Sequence, residues 1–271
     1  LPFDVAHRAE ASPEEEISLA LLAALPSAGE IAEPVTLEVV DEPVPTWSGE
    51  VNDPADVTLD GDALTVRHLR FAADIDLVAR RGTVRRATPH AFPLEITLRA
   101  TVCARLPSAG GLALHAAGLV IDGCGLVAFG ASGAGKSTLA AAAPGPALSD
   151  ELVAVVADPW RLVATGFWGE HDGVAPRVAE APLAILAALA RGPRMEIEPI
   201  PAPEAFRRLL PMLVLPDGDA PWRAAITVLE RLAAEVPTVR LAWSPAAPEW
   251  EALAEAMLGN HHPREPHRRP A

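Results

Sequence analysis

A glycine-rich segment is the strongest chemical signal in the sequence. Residues 130–137 read Gly-Ala-Ser-Gly-Ala-Gly-Lys-Ser and match the pattern G-x-x-x-x-G-K-[ST] at every fixed position. Glycines in such a loop let successive backbone N–H groups turn inward and surround phosphate oxygens, and a following helix adds partial positive charge. The segment therefore predicts a site for the phosphates of a nucleoside triphosphate.

Individual side chains of this loop have separate expected roles. Lys136 would reach the β- and γ-phosphates, and Ser137 would place its hydroxyl on the Mg²⁺ ion that bridges them. Lys136 is the only lysine in the chain, and arginine supplies the other basic side chains apart from histidine. Lysine is thus kept at the one position where phosphate binding calls for a compact charge on a flexible side chain. The expected ligands are ATP and Mg²⁺, and the expected nucleotide-binding residues are Gly130, Ala131, Ser132, Gly133, Ala134, Gly135, Lys136, Ser137 and Thr138.

The composition excludes several classes of phosphate-loop protein. A regulatory GTPase needs an N-K-x-D element to read its base, and the chain has no second lysine to supply it. A Ras-like hydrolase orients its water with a glutamine, and an ABC transporter subunit carries glutamine in its signature, but the sequence contains no glutamine. Phosphoryl transfer to a bound hydroxyl is the favoured chemistry.

Such a transfer requires one group that accepts or orients the proton of the acceptor hydroxyl and another that helps to hold Mg²⁺. Asp150 and Glu151 stand at the head of the apolar run 152–157. Asp150 could also be a simple turn residue, and Glu151 a solvated surface acid. Asp158, at the other end of the run, is a rival metal ligand, although Asp158-Pro159 is typical of a turn.

Three elements in order carry a family resemblance: His115, fifteen residues before Gly130; the glycine loop; and Leu148-Ser149-Asp150-Glu151-Leu152-Val153. Residues 114–154 resemble the catalytic core of HPr serine kinase/phosphorylase and its small relatives. The resemblance extends more loosely over residues 112–258, including Gly166 to Glu170 and the last strand and helix. The family usually has Asp-Asp where this chain has Asp-Glu, and the helix after Lys136 is shorter than is typical.

The resemblance implies roles for these residues. Asp150 would receive the proton of the acceptor hydroxyl, and His115, which could equally be a core histidine, would lie near the phosphates. Glu151 would be the acid on the metal side, with Glu170 a further candidate. The expected catalytic residues are Asp150, Lys136 and His115, and the expected metal ligands are Ser137, Glu151 and Glu170.

The implied activity is that of an ATP-dependent kinase acting on a hydroxyl, with serine in a small protein or peptide as the favoured acceptor. The alternatives are a kinase for a small metabolite and a nucleotide-dependent binding or assembly module with little catalysis. The sequence carries no signal of an oligomeric state.

The net charge and the hydropathy of the chain limit the classes of partner that it is expected to have. The chain has 271 residues, half of them apolar, and a net charge of −14, which disfavours nucleic acid as a partner. It has no apolar run of the roughly 18 residues that cross a bilayer, which predicts no membrane span. Residues 1–16 lack the pattern of a signal peptide, which favours a cytoplasmic protein. Cys103 and Cys124 are expected to be reduced thiols.

Hydrophobic patterning divides the chain into three parts. Residues 1–109 are predicted to be β-rich, with strands at 35–40, 57–64 and 71–78, a turn at 60–62 and a helix at 92–106. Whether they form a separate domain or extend the following sheet is left open. Residues 260–271, which contain His261, His262 and His267, are predicted to be a disordered tail.

Residues 110–259 are predicted to form a P-loop kinase domain of the α/β class with a mixed sheet. Strands are expected at 112–121, 126–129, 152–157, 161–165 and 239–243, with a hairpin turn at 122–125. Helices are expected at 137–143, 182–189, 204–213, 222–235 and 248–258.

Overall fold

The computed structural model describes residues 3–7, 34–44, 54–87, 91–167, 179–246 and 248–259. The predicted tail and Glu170 lie outside these ranges. The protein is an α/β structure with two mixed sheets, and its N-terminal region is rich in strands, as predicted. Within the described ranges, no helix combines the length and apolar character that crossing a bilayer requires.

The N-terminal region forms a sheet of its own. Its six strands run in the order β1-β2-β6-β5-β4-β3, with β1, β2 and β6 parallel and the others antiparallel. The predicted turn at 60–62 joins β3 to β4, and Gly61 adopts a positive φ of 56° there. The strands are β1 (Phe3–His7), β2 (Val35–Asp41), β3 (Asp56–Asp60), β4 (Ala63–His68), β5 (Phe71–Asp76) and β6 (Arg81–Arg86).

One long helix covers an apolar face of this sheet. Helix α1 (Ala91–Arg105) confirms the predicted helix and buries Leu94 and Leu98 against strand residues such as Val66 and Phe71. Cys103, on the same helix, is a free thiol, and burial raises its pKa to about 12. Helix and sheet therefore enclose one apolar core.

The second sheet has nine strands arranged around β13. Strand β13 runs parallel to β9 on one side and to β15 on the other, and its first residues pair antiparallel with β12, which leads to β11 and β7. Strands β8 and β10 extend the β9 side, and β14 lies beyond β15. The strands are β7 (Gly111–His115), β8 (Ala117–Ile121), β9 (Cys124–Phe129), β10 (Ala147–Ser149), β11 (Leu152–Val156), β12 (Arg161–Val163), β13 (Glu180–Arg191), β14 (Glu196–Ile200) and β15 (Thr238–Trp243).

The predicted helix at 182–189 is wrong, because these residues form the middle of β13. Side chains from Leu183 to Ala188 are all buried, at 6 % exposure or less, so the strand has apolar neighbours on both faces. A central parallel strand is a continuous apolar run without alternation, and periodicity alone does not separate such a run from a buried helix. The single strand predicted at 112–121 is also wrong, since it divides at Ala116 into β7 and β8.

Helices cover both faces of the nine-stranded sheet. Helix α4 packs on one face, where Val228 and Leu232 meet Leu186, and helices α2 and α5 pack on the other, where Leu139 and Leu253 join the core around β9 and β15. The helices are α2 (Lys136–Ala142), α3 (Ala202–Leu209), α4 (Asp219–Glu235) and α5 (Trp250–Gly259), and they confirm the helices predicted in these regions.

The two sheets are connected by backbone and side-chain contacts. Leu59 N–H donates to the Asp217 carbonyl at 2.8 Å, and Asp217 N–H donates to the Val57 carbonyl at 2.7 Å. The core beneath the N-terminal sheet also takes in Leu152 and Phe167 from the second half of the chain. The N-terminal sheet is therefore packed against the region that carries the glycine loop.

Candidate functional site

The carboxyl ends of three parallel strands meet at one edge of the nine-stranded sheet. Strands β9, β13 and β15 end there, and the segments that follow them face a cavity of about 610 Å³. Ligand sites of open α/β sheets lie at such an edge. The cavity is lined by His115, Ser132, Gly133, Ala134, Gly135, Lys136, Ser137, Thr138, Asp150, Glu151, Arg191, Gly192, Trp243, Ser244 and Pro245.

The glycine loop joins β9 directly to α2, as the sequence predicts. Gly133 and Gly135 have φ angles of 75° and 98°, which side chains other than glycine rarely adopt. The N–H of Ala134 donates to the carbonyl of Ala131 at 3.0 Å and closes a tight turn at the tip of the loop. The two glycines allow this turn to be followed at once by the first residue of α2.

Lys136 begins α2 and folds back over the loop. Its side chain is only 8 % exposed, and its Nζ donates to the carbonyl of Gly130 at 3.1 Å. An ammonium group has three N–H donors, so this contact leaves others for a ligand in the cavity. A buried cation beside a loop of small residues, together with the hydroxyls of Ser137 and Thr138, is a donor set that suits phosphate oxygens.

The acidic pair reaches the same cavity from a different strand. Asp150 and Glu151 precede β11, which pairs antiparallel with β7 so that Leu152 lies opposite His115. Ser149 fixes the turn: its Oγ accepts N–H bonds from Glu151 and Leu152, both at 3.1 Å, and donates to the Phe167 carbonyl at 2.7 Å. The Asp150 side chain, 2 % exposed, is held at the cavity by this turn.

Glu151 lies between two basic side chains. Its Oε2 is 3.5 Å from His115 Nε2, and its Oε1 is 3.7 Å from a guanidinium nitrogen of Arg99 on α1. Arg99 also stacks over the Phe167 ring at 5.5 Å. The helix that covers the N-terminal sheet therefore supplies a contact to the acidic pair.

Asp158, the rival carboxylate, lies away from this cavity. It follows the far end of β11, its side chain is 77 % exposed, and it pairs with Arg231 at 3.0 Å. Five strand residues, or about 16 Å of extended chain, separate the acidic pair from that end. The geometry favours Asp150 and Glu151 over Asp158 as site residues.

Most of the predicted site residues come together at the cavity. The loop from Ser132 to Thr138, His115, Asp150 and Glu151 all line it, whereas Glu170 falls outside the described residues. Among the described residues, no cluster of three or more histidine, cysteine or acidic side chains is placed to hold a metal. Mg²⁺ on a nucleotide needs only one or two carboxylates besides the phosphates, so the acidic pair with Ser137 suits it.

Three residues that line the cavity beside the glycine loop were not predicted from the sequence. Arg191, Gly192 and Trp243 line the cavity from the ends of β13 and β15. Because 182–189 was predicted as a helix, Arg191 had no expected place beside β9. The rule that parallel strands end at a common edge would have identified these residues once β13 was recognised as a strand.

The chain matches no family model, and no curated protein matches it.

Proposed function

We propose that this protein is a P-loop kinase that binds MgATP in the cavity and transfers the γ-phosphoryl group to a hydroxyl, with serine in a small protein or peptide as the favoured acceptor. One observation carries the proposal. The buried Lys136 of the glycine loop and the buried Asp150 of a separate turn line the same cavity, although they are fourteen positions apart in the sequence. Phosphoryl transfer to a hydroxyl needs at least a phosphate-binding loop and a carboxylate at the same cavity.

The residues around the cavity fit a magnesium nucleotide. Backbone N–H groups of the loop and the Lys136 ammonium would bind phosphate oxygens, and the Ser137 hydroxyl with Glu151 would hold the cation. Bound MgATP would supply the phosphoryl group and the cation that neutralises its charge. Glu170 remains a predicted further metal ligand.

Asp150 is the residue suited to the acceptor hydroxyl. A carboxylate within hydrogen-bond reach of that hydroxyl orients it and takes up its proton as the new ester bond forms. The turn that Ser149 fixes holds Asp150 in one place, and the contacts of Glu151 with His115 and Arg99 steady the neighbouring acid. Since Arg99 belongs to α1, the N-terminal half lies where it could help to present an acceptor.

The proposal is tested first by nucleotide binding. Replacing Lys136 with Ala removes a charged donor to the phosphates, and we expect MgATP to bind roughly 10- to 100-fold more weakly in titration calorimetry. Arg194→Ala is the matched control, because this exposed side chain pairs with Glu196 at 2.9 Å outside the cavity lining. Absence of MgATP binding by the unaltered protein, or equal affinity in the Lys136 variant, would refute the phosphate site.

Transfer is tested separately. Incubating the protein and a cell extract with ATP labelled in the γ-phosphate should label a protein band when the acceptor is a protein or peptide. Label in a small molecule alone would indicate a metabolite kinase, and MgATP binding without any transfer would indicate a binding module. The Lys136→Ala variant serves as the background in each case.

A further inference from the structure

Two residues at the ends of neighbouring strands lie against the glycine loop. Arg191 and Trp243 are register partners in the parallel pair β13–β15. The Arg191 guanidinium donates to the carbonyl of Gly133 at 3.0 Å. Trp243 Nε1 is the nearest atom to the position that a Cβ on Gly135 would occupy, at 3.7 Å. Together they form a wall along the loop.

Both residues have donors that the described part of the chain does not use. No carboxylate among the described residues forms an ion pair with Arg191, whose guanidinium carries five N–H groups and lines the cavity. Trp243 is 5 % exposed, and within the described ranges its indole N–H makes no hydrogen bond. Arg191 is an exposed residue, and the indole N–H of Trp243 is not among the buried unpaired donors of the described residues, so both groups line the cavity and can donate to an acceptor bound there.

We infer that Arg191 and Trp243 form a second donor wall of the polyphosphate site, with Arg191 binding the terminal phosphate and Trp243 an inner one. The inference rests on the proposed function. Gly133 is at the tip of the turn between Ala131 and Ala134, away from the start of α2, whereas Gly135 immediately precedes that helix. Because a helix start holds the inner phosphates of a nucleotide, the tip lies towards the terminal one.

Substitutions of Arg191 and Trp243 should change the affinities for MgATP and MgADP in different ways. Removing the guanidinium in Arg191→Ala should weaken MgATP binding roughly 10- to 100-fold and change MgADP binding by less than about twofold, because only ATP has the terminal phosphate. Arg191→Lys keeps the charge and should recover part of the ATP affinity. Arg194→Ala, with a 73 % exposed side chain, should alter neither affinity.

Trp243→Phe keeps an aromatic ring and removes the indole N–H. Loss of one hydrogen bond to an inner phosphate should weaken MgATP and MgADP equally, by roughly 2- to 10-fold. Trp250→Phe is the control, because its ring contacts Trp243 at 6.4 Å but does not line the cavity. Titration calorimetry of all variants with both nucleotides gives the comparison, and a thermal melt of each variant checks that it is folded.

The results separate this inference from the proposed function. If the unaltered protein binds neither nucleotide, both fall. If it binds MgATP and Arg191→Ala binds it equally well, or loses ATP and ADP affinity to the same extent, Arg191 supports the loop only and the assignment to the terminal phosphate is overturned. Unchanged binding in Trp243→Phe overturns the assignment of the indole N–H.

Discussion

At the scale of single residues, the two aspartates at opposite ends of β11 are expected to respond differently to substitution. Asp150 is buried at the cavity, whereas Asp158 is exposed and paired with Arg231. Because a positioned proton acceptor contributes about 100- to 10,000-fold to rate, Asp150→Asn should lower transfer by that order while MgATP still binds. Asp158→Asn should leave both unchanged. Single-turnover transfer assays and calorimetry measure the two properties, and loss of transfer in the Asp158 variant alone would reverse the assignment.

Cys103 gives a prediction about pH. Its ordinary thiol pKa of 9.0 is raised to about 12 in the folded protein, so above pH 9 the unfolded chain ionises this thiol while the folded protein keeps it neutral. The contribution of this thiol to the free energy of unfolding should therefore be fully present below pH 9 and be lost as the pH rises towards 12. From pH 8 to pH 10 the free energy of unfolding should drop by about 1.4 kcal/mol more than in Cys103→Ala. Urea unfolding at both pH values measures this difference, and equal drops in the two proteins would contradict the burial argument.

The loop and the acidic pair could be singled out in the sequence because each is a local pattern. Gly130 to Ser137 match the pattern of a phosphate loop, and the family resemblance of residues 148–153 gave Asp150 its expected role. Arg191 and Trp243 were not predictable in this way, since each carries no local pattern and reaches the cavity only through the pairing of β13 with β15.

At the scale of elements, the error at β13 has a physical reason that also explains the missed residues. Leu183-Ala184-Ile185-Leu186-Ala187-Ala188-Leu189-Ala190 combines alanine and leucine, which favour helices, with a preceding proline typical of a first turn. Tertiary contacts override that preference, because β9 and β15 take up its backbone hydrogen bonds on both sides. Strand β5 was found close to its predicted position, and the predicted turn at 60–62 is confirmed, but the single strand predicted at 57–64 is wrong, since that turn divides it between β3 and β4.

Short elements at the site were harder to predict. The three-residue strand β10 and the turn after it depend on Ser149, whose hydroxyl bonds to three backbone groups. This turn converts a local Asp-Glu pair into one buried and one half-buried acid at a cavity. The sequence supplies the pair, but its place at the cavity depends on β10 and β11, which precede and follow it, and on the pairing of β11 with β7.

At the scale of the whole molecule, the shared core connects the N-terminal sheet to the sheet that carries the site. Leu152 and Phe167 pack in the core beneath the N-terminal sheet, and Asp217 bonds to Val57 and Leu59. A substitution that destabilises the N-terminal sheet should therefore also destabilise the nine-stranded sheet. We expect a single calorimetric unfolding transition, because neither sheet can lose its packing without exposing apolar surface of the other.

The ion pair of the buried Arg86 with the partly exposed Asp41 provides the perturbation. Arg86 is fully buried, its Nε donates to Asp41 at 2.6 Å, and neither residue lines the cavity. Asp41→Ala removes this charged hydrogen bond from Arg86, at a cost of about 1.5–3 kcal/mol, which should lower Tm by roughly 3–10 °C. The control Glu198→Ala breaks the exposed pair with Arg240, which contributes less than about 1 kcal/mol. The Asp41 variant should show one transition moved as a whole, and we expect MgATP to raise the Tm of the variant and of the unaltered protein alike. Two calorimetric peaks, of which Asp41→Ala moves only one, would instead mean that residues 1–109 and 110–259 unfold as independent domains.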